Sequence, residues 1–449
     1  MIGALCVAIV LVALGLVLRE AFRRGGGDWL GIPVIVAIVV VLGYVGPAYD
    51  VLQQTDLFFL RYPSGVHSLH DSMEVALEVA LLAIAAFAIG WYWRPPVGSP
   101  VAYRVRWRLP ALRFFGIVYT IVGLAFFVVG VALLGGPSVL LAGLGDRLRV
   151  TQGLNYLLQA TVLLVVVSLA WYCWLLTTGR STRSVAFWSY TLLAFGVSAL
   201  QGSKSILFVF LLALAVLHDR LRARIRGALA FAGGAITFVA LTAYALFARE
   251  FLALGRLVTL ETFDVASMLN VLRVEFFGNF IQLQTMMVLV GRVPQELPFQ
   301  WGRTYLATAT MVVPRGLWPN KPLPSTGVFT LAFWPDSWLL AGTTLPPGLF
   351  GEFYLNFGWI GVALGSFLFA RLGRTLLARQ AAAPHDPTRV LVYALFVAMA
   401  AHYVRGDFAV TVGLLELLLP TLVLLLFCTR REPIAAGGGS SPSLPMSDA

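Results

Sequence analysis

Long runs of apolar residues, separated by short polar stretches, recur along almost the whole chain. A helix needs about 17–25 such residues to cross the hydrocarbon of a bilayer. The runs fall near 2–18, 29–47, 73–93, 112–134, 154–177, 185–200, 204–218, 228–247, 349–370, 389–404 and 408–428. Backbone in lipid must satisfy its own hydrogen bonds, so runs of this length predict helices. The pattern therefore predicts an all-α, polytopic transmembrane bundle of about eleven spans. Eight spans lie in 1–247 and three in 349–428. The runs at 204–218 and 389–404 are short and leave little room for tilt. The first run lacks a basic leading region and a small-residue cleavage site, and it reads as a retained helix rather than a signal peptide.

One connection is far longer than the others. Residues 248–348 form a large loop holding Trp301, Trp318, Trp334, Trp338 and many prolines. Its 265–291 stretch is apolar and predicts a helix, and 304–313 is apolar but too short to span. Irregular backbone at a membrane is tolerated where it is buried in protein or lines a cavity. Interfacial or re-entrant helices folded over the bundle are therefore expected, and long ordered loops of this kind usually carry function. Residues 429–449 end in a Gly/Ser/Pro-rich piece and are expected to form a flexible tail.

Composition supports a lipid solvent. Hydrophobic residues make up 59% of the 449 and charged residues only 12%, against about 25% charged in soluble domains. The cysteines Cys6, Cys173 and Cys428 all sit inside apolar runs. That excludes a disulfide-stapled secreted scaffold and a cysteine metal cluster. The net charge of +11 is unevenly placed. The connections 19–28, 94–113, 178–184, 218–227, 371–389 and 429–449 hold 20 basic and 6 acidic residues, while those between them hold 12 and 14. Alternate connections thus differ in sign, which places the basic set in the cytoplasm, the N-terminus outside and the C-terminus inside. The excess charge is topogenic. Without basic and aromatic residues interleaved, no nucleic-acid partner is expected.

The candidate chemistry gathers on the outer side. Lys204 and Lys321 are the only lysines. Lys204, in Gln201-Gly202-Ser203-Lys204-Ser205, is either a chance survivor in an arginine-rich chain or a compact ammonium placed for a phosphate. In 311–324, Pro314, Pro319, Pro322 and Pro324 stiffen the backbone and present Arg315 and Lys321 beside Trp318. Glu352 stands in the first turn of a span. It reads either as an acid favoured by the helix dipole or as a carboxylate in a polar cavity, working as a base. Arg249 and Arg303 are interfacial anchors or, with Lys204, Arg315 and Lys321, parts of a cationic pocket for an anionic diphosphate. His402, Arg405 and Asp407 cluster at another outer junction. His67 and His70 lack the further ligands a zinc site needs. There is no P-loop, zinc-protease helix or nucleophile elbow, and neither metal nor cofactor is expected.

These features together resemble the bacterial O-antigen, or oligosaccharide repeat-unit, polymerases. The residues that carry the resemblance are Gly202-Ser203-Lys204, the stretch from Pro314 to Pro322, and Gly351-Glu352-Phe353-Tyr354 with Asn356-Phe357-Gly358. The many helices and one large loop in the C-terminal half agree with it. The match covers mainly 200–360, and Lys204 stands where the family pattern has arginine. The resemblance implies glycosyl transfer between undecaprenyl-diphosphate-linked oligosaccharides on the outer face of the cytoplasmic membrane. It implies Glu352 and Arg315 as catalytic residues. Lys204, Arg249, Arg303, Lys321, Trp318, Tyr354 and Arg405 would hold the diphosphate and glycan. A chain-length regulator and a flippase are the implied protein partners. An O-antigen ligase is the neighbouring alternative. A lipid-linked oligosaccharide transporter or flippase would need mid-membrane charges and repeated halves; the chain has no internal repeat, and Glu416 is the main charge inside a span.

Overall fold

The structure, a computed structural model, describes residues 1–22, 27–52, 69–93, 103–143, 150–151, 154–202, 204–247, 280–310, 313, 317–339 and 344–433. The apolar runs within these residues are helices. Helix α1 (Ile2–Ala21) is followed by α2 (Ile32–Val40), which continues through a π-helical turn at Val41–Val45 into α3 (Gly46–Leu52), and then by α4 (Leu69–Tyr92). Strand β1 (Tyr103–Trp107) leads into α5 (Leu109–Leu133), short α6 (Pro137–Ala142) and α7 (Asn155–Gln159), and α8 (Val162–Thr177). Next come α9 (Val185–Leu200), α10 (Lys204–Leu221) and α11 (Gly227–Phe247). The long loop contributes α12 (Gln282–Arg292), α13 (Arg303–Ala309), α14 (Ser325–Phe333) and α15 (Pro335–Leu339). The described chain closes with α16 (Gly348–Ala382), α17 (Pro387–Arg405), α18 (Val410–Cys428) and strand β2 (Thr429–Pro433).

Eight helical stretches among the described residues are long and apolar enough to cross a membrane. They are Ile2–Ala21, Ile32–Tyr49, His70–Tyr92, Leu109–Leu133, Leu157–Thr177, Gly227–Tyr244, Gly348–Ala382 and Pro387–Arg405. Val185–Leu200 and Leu415–Cys428 are shorter apolar helices. The chain is thus a mostly helical, multi-pass membrane protein. Its layers follow from which helices are apolar all round and which present apolar residues outward. The Leu157–Thr177 stretch is 83% buried and runs through the middle, with α5, α9, α10, α17 and α18 packed around it. The Gly227–Tyr244 stretch is only 11% buried and exposes Leu229, Phe231 and Ile236. That outward face suits hydrocarbon, in which such side chains cost nothing.

Two elements differ from the sequence expectation. The span expected at 349–370 is broken: Phe357 (φ −140°, ψ 16°) and Gly358 (φ 60°, ψ −147°) leave helical geometry inside α16. Gly358 occupies a region that residues with a Cβ rarely enter. The reversal is sharp. A Cβ built on Gly361 would lie 2.3 Å from the Phe353 carbonyl oxygen, and one on Gly365 would lie 2.6 Å from the Phe353 ring. Eight residues along a straight helix span about 12 Å, so the 348–356 segment folds back onto the helix that follows. The Gly361-x-x-x-Gly365 spacing provides the close approach. The second difference is at the C-terminus. The first five residues of the expected flexible tail form β2, which pairs antiparallel with β1 from Tyr103↔Pro433 to Trp107↔Thr429. This two-stranded ribbon adds to the all-helical expectation. Residues 434–449, like 248–279, lie outside the described residues.

Direct contacts sort the connections into two ends. At one end the Glu20 carboxylate accepts from Trp91 Nε1 (3.2 Å) and the Tyr92 hydroxyl (3.1 Å). Buried Arg220 pairs with Asp28 and donates to the Tyr393 hydroxyl. Tyr103 donates to Asp386, and Arg371 to the Trp93 carbonyl. Every one of these contacts joins segments in or beside the arginine-rich connections. At the other end, Gln282 Nε2 donates to the Arg405 carbonyl at 3.0 Å, and Gln201 Nε2 donates to the Leu158 carbonyl.

Candidate functional site

The end opposite the arginines is built around Glu352. Glu352 lies in the folded-back segment and is fully buried. Its Oε1 accepts the Thr304 hydroxyl at 2.6 Å, and its Oε2 accepts the backbone N–H of Phe408. Asn356, one turn further on, donates from Nδ2 to Thr304 Oγ1 (2.8 Å) and to the Glu352 carbonyl (2.9 Å). Its Oδ1 accepts the Gly302 N–H at 2.8 Å. The N–H groups of Gln300 and Trp301 reach the Leu355 and Asn356 carbonyls. The segment's C-terminal acceptors, which a helix cannot satisfy internally, are thus taken up by the 300–302 loop.

Asp407 stands beside this knot, close enough to act electrostatically on Glu352. Its Oδ2 accepts from the Ser325 hydroxyl (3.1 Å), the Thr326 N–H (3.0 Å) and the Thr326 hydroxyl, and its Oδ1 from the Ala409 N–H (3.1 Å). A carboxylate at the start of α14 offers its N–H groups the acceptor they lack. Glu352 and Asp407 therefore hold together the 300–304 loop, the start of α16, the start of α14 and the 405–409 turn.

An aromatic ribbon runs outward from the knot. Phe408 meets Tyr305 edge-on (5.2 Å), Tyr305 stacks on Phe357 (6.4 Å), and Phe357 meets Trp301 (6.0 Å), which meets Phe299 (6.0 Å). Burial, followed by the Glu352 carboxylate, raises the Tyr305 phenol above its ordinary range, so it stays a neutral hydroxyl. Trp301 is 72% exposed. Rings half in and half out of the protein suit a membrane interface or a sugar face.

The structure brings several of the sequence candidates to this end. Arg303 opens α13 with its side chain exposed, directly before Thr304. Arg405 closes α17 two residues before Asp407. Lys204 opens α10, and Phe208, one turn on, meets the His402 ring edge-on at 6.0 Å. Lys321 Nζ donates to the Val313 carbonyl at 2.7 Å, and Trp318, seven residues before α14 begins, is partly exposed. Tyr354 is different. Its ring is buried against Phe299 and Trp359 and packs the corner. Arg315 and Arg249 lie outside the described residues, as does His67. Thr304, Ser325 and, of the aromatic ribbon, Phe299, Tyr305 and Phe408 were not singled out in the sequence, because one threonine among Thr304, Thr308 and Thr310 carries no distinguishing local mark.

No family model, no curated protein and no solved structure matches this chain.

Proposed function

We propose that the protein lengthens lipid-linked glycans, as an oligosaccharide repeat-unit polymerase of the outer face of the cytoplasmic membrane. In this reading the arginine-rich end faces the cytoplasm, the N-terminus lies outside, and the helices comprise about eleven spans. The observation that carries the proposal is a buried carboxylate, Glu352, tied by the Thr304 hydroxyl to the long loop and by the Phe408 N–H to the 405–409 turn, at the end opposite the arginine-rich connections.

The chemistry follows from the groups at hand. An acceptor sugar hydroxyl attacks the anomeric carbon of the growing chain, and the bond from that carbon to the carrier diphosphate breaks. The acceptor's proton goes to Glu352. Thr304 already presents a hydroxyl to Oε1 at 2.6 Å, the distance at which such a transfer operates. The diphosphate leaves with growing negative charge, for which Arg303, Arg315, Arg405, Lys204 and Lys321 are the candidate partners; preorganised cations stabilise that charge without reorganisation. Arg249 and Trp318 would border the path, the first as an anchor for the carrier and the second as a face for a sugar. A chain-length regulator and a flippase are the partners such a polymerase would need.

Deleting the gene in its host tests this reading against the ligase. A polymerase predicts surface glycan capped at a single repeat unit. Full-length polymer left untransferred on its carrier would contradict it and assign the transfer to a ligase.

A further inference from the structure

The arginine-rich end carries a cleft of about 590 Å³ that the glycan chemistry does not use. Arg104, Arg106, Arg180 and His385 line it, and no acidic residue does among the described lining residues. Trp174, Trp107 and Leu109 supply apolar wall. The wall is fixed rather than loose. Trp107 Nε1 donates to Thr177 Oγ1 at 2.9 Å, Tyr103 donates to Asp386 at 2.9 Å, and the Arg108 N–H donates to the Cys428 carbonyl at 2.7 Å. The Arg180 guanidinium lies 5.1 Å from the Trp174 ring centre, a cation–π contact that holds it at the rim. Arg106 meets Glu432 at 3.2 Å, but the two side chains are 70% and 39% exposed, so water screens that pair.

Depth in the membrane says what such a cleft would meet. Leu109 is the first residue of α5 and Thr177 the last of α8, and both helices belong to stretches long and apolar enough to span. The cleft therefore sits where two spans leave hydrocarbon, at the level of lipid headgroups, with tryptophans in the position they favour there. Among the described residues the β1–β2 ribbon has two strands, and β1 carries Arg104 and Arg106 along the cleft. Guanidinium forks match phosphate oxygens bidentately. We propose that this cleft binds the phosphate headgroup of an anionic phospholipid, with the glycerol and upper acyl carbons against Trp174 and Leu109. The assignment is independent of the glycan reading at the opposite end.

Native mass spectrometry of the full-length protein, offered phosphatidylglycerol or phosphatidylcholine with identical acyl chains, tests it. Wild type is expected to retain the anionic lipid preferentially. Retention should weaken about fivefold for each of Arg104, Arg106 and Arg180 changed to alanine, the factor one interfacial cation contributes. The single substitution Arg180→Gln, at an exposed position, gives the same readout without threatening the fold. On wild type itself, added salt should reduce the preference. Equal retention of the two lipids, or an Arg180→Gln protein indistinguishable from wild type, would overturn the proposal. Displacement of the lipid by millimolar inorganic phosphate would overturn it too, by assigning the cleft to a soluble phosphate.

Discussion

Glu352→Gln is expected to cut glycan elongation by about 10²- to 10⁴-fold, the usual contribution of a positioned proton acceptor, while the protein still folds. The glutamine oxygen can take the Phe408 N–H, and its amide NH₂ can face Thr304 Oγ1. That oxygen already accepts from Asn356 Nδ2 and has a second lone pair. The threonine proton then loses its acceptor, a cost of about 1–3 kcal/mol. Glycan length distribution and thermal stability measured on the same preparation separate the two effects. Wild-type polymer from a Glu352→Gln protein would reduce the residue to a structural tie from the start of α16 to the 300–304 loop and the 405–409 turn.

The largest loss of stability is expected at the other end. Asp28 and Arg220 are both about 5% exposed in their side chains and form an ion pair. Asp28 lies between α1 and α2, Arg220 ends α10, and the Tyr393 hydroxyl on α17 accepts a bond from the same guanidinium at 3.3 Å. Asp219 is 3.7 Å from Arg220 Nε but is already engaged by Arg224 Nη1 and the Ile225 N–H. Asp28→Ala therefore strands a buried charge, and removing one partner of such a pair costs about 3–5 kcal/mol. Thermal unfolding in detergent reads this directly. The double substitution Asp28→Leu with Arg220→Met should recover most of it, since paired apolar replacements are often neutral. A loss below about 1 kcal/mol in the single variant would mean that Asp219 and Tyr393 hold Arg220 by themselves. Elongation per folded molecule should not change, because this pair sits at the end opposite Glu352.

Helices were the most legible part of the sequence, because a run such as 112–134 has only one way to satisfy its backbone in lipid. The corner at Phe357-Gly358 was not. Asn356-Phe357-Gly358 is visible as a motif, but a reversal there depends on Gly361 and Gly365 meeting Phe353 across the bend, a contact that periodicity does not encode. The ribbon was hidden for a related reason. Tyr103-Arg104-Val105-Arg106-Trp107 alternates as a strand should, yet a lone strand is not stable, and its partner Thr429–Pro433 lies more than 300 residues away. At the site, the ionisable residues stood out because charges at the edge of an apolar span are costly. Their hydroxyl and amide partners Thr304, Ser325 and Asn356 are neutral, and only the fold shows what they hold. Tyr354 is expected, from the resemblance, among the residues that hold the diphosphate and glycan; in the fold its ring packs inward on Phe299 and Trp359.

The most direct measurement uses the purified full-length protein in vesicles, supplied with a lipid-diphosphate oligosaccharide and followed by the length of the glycan. Elongation in steps of one repeat, with release of free carrier diphosphate, is the predicted result. Glycan that stays one unit long, or crosses the bilayer without lengthening, would contradict the account.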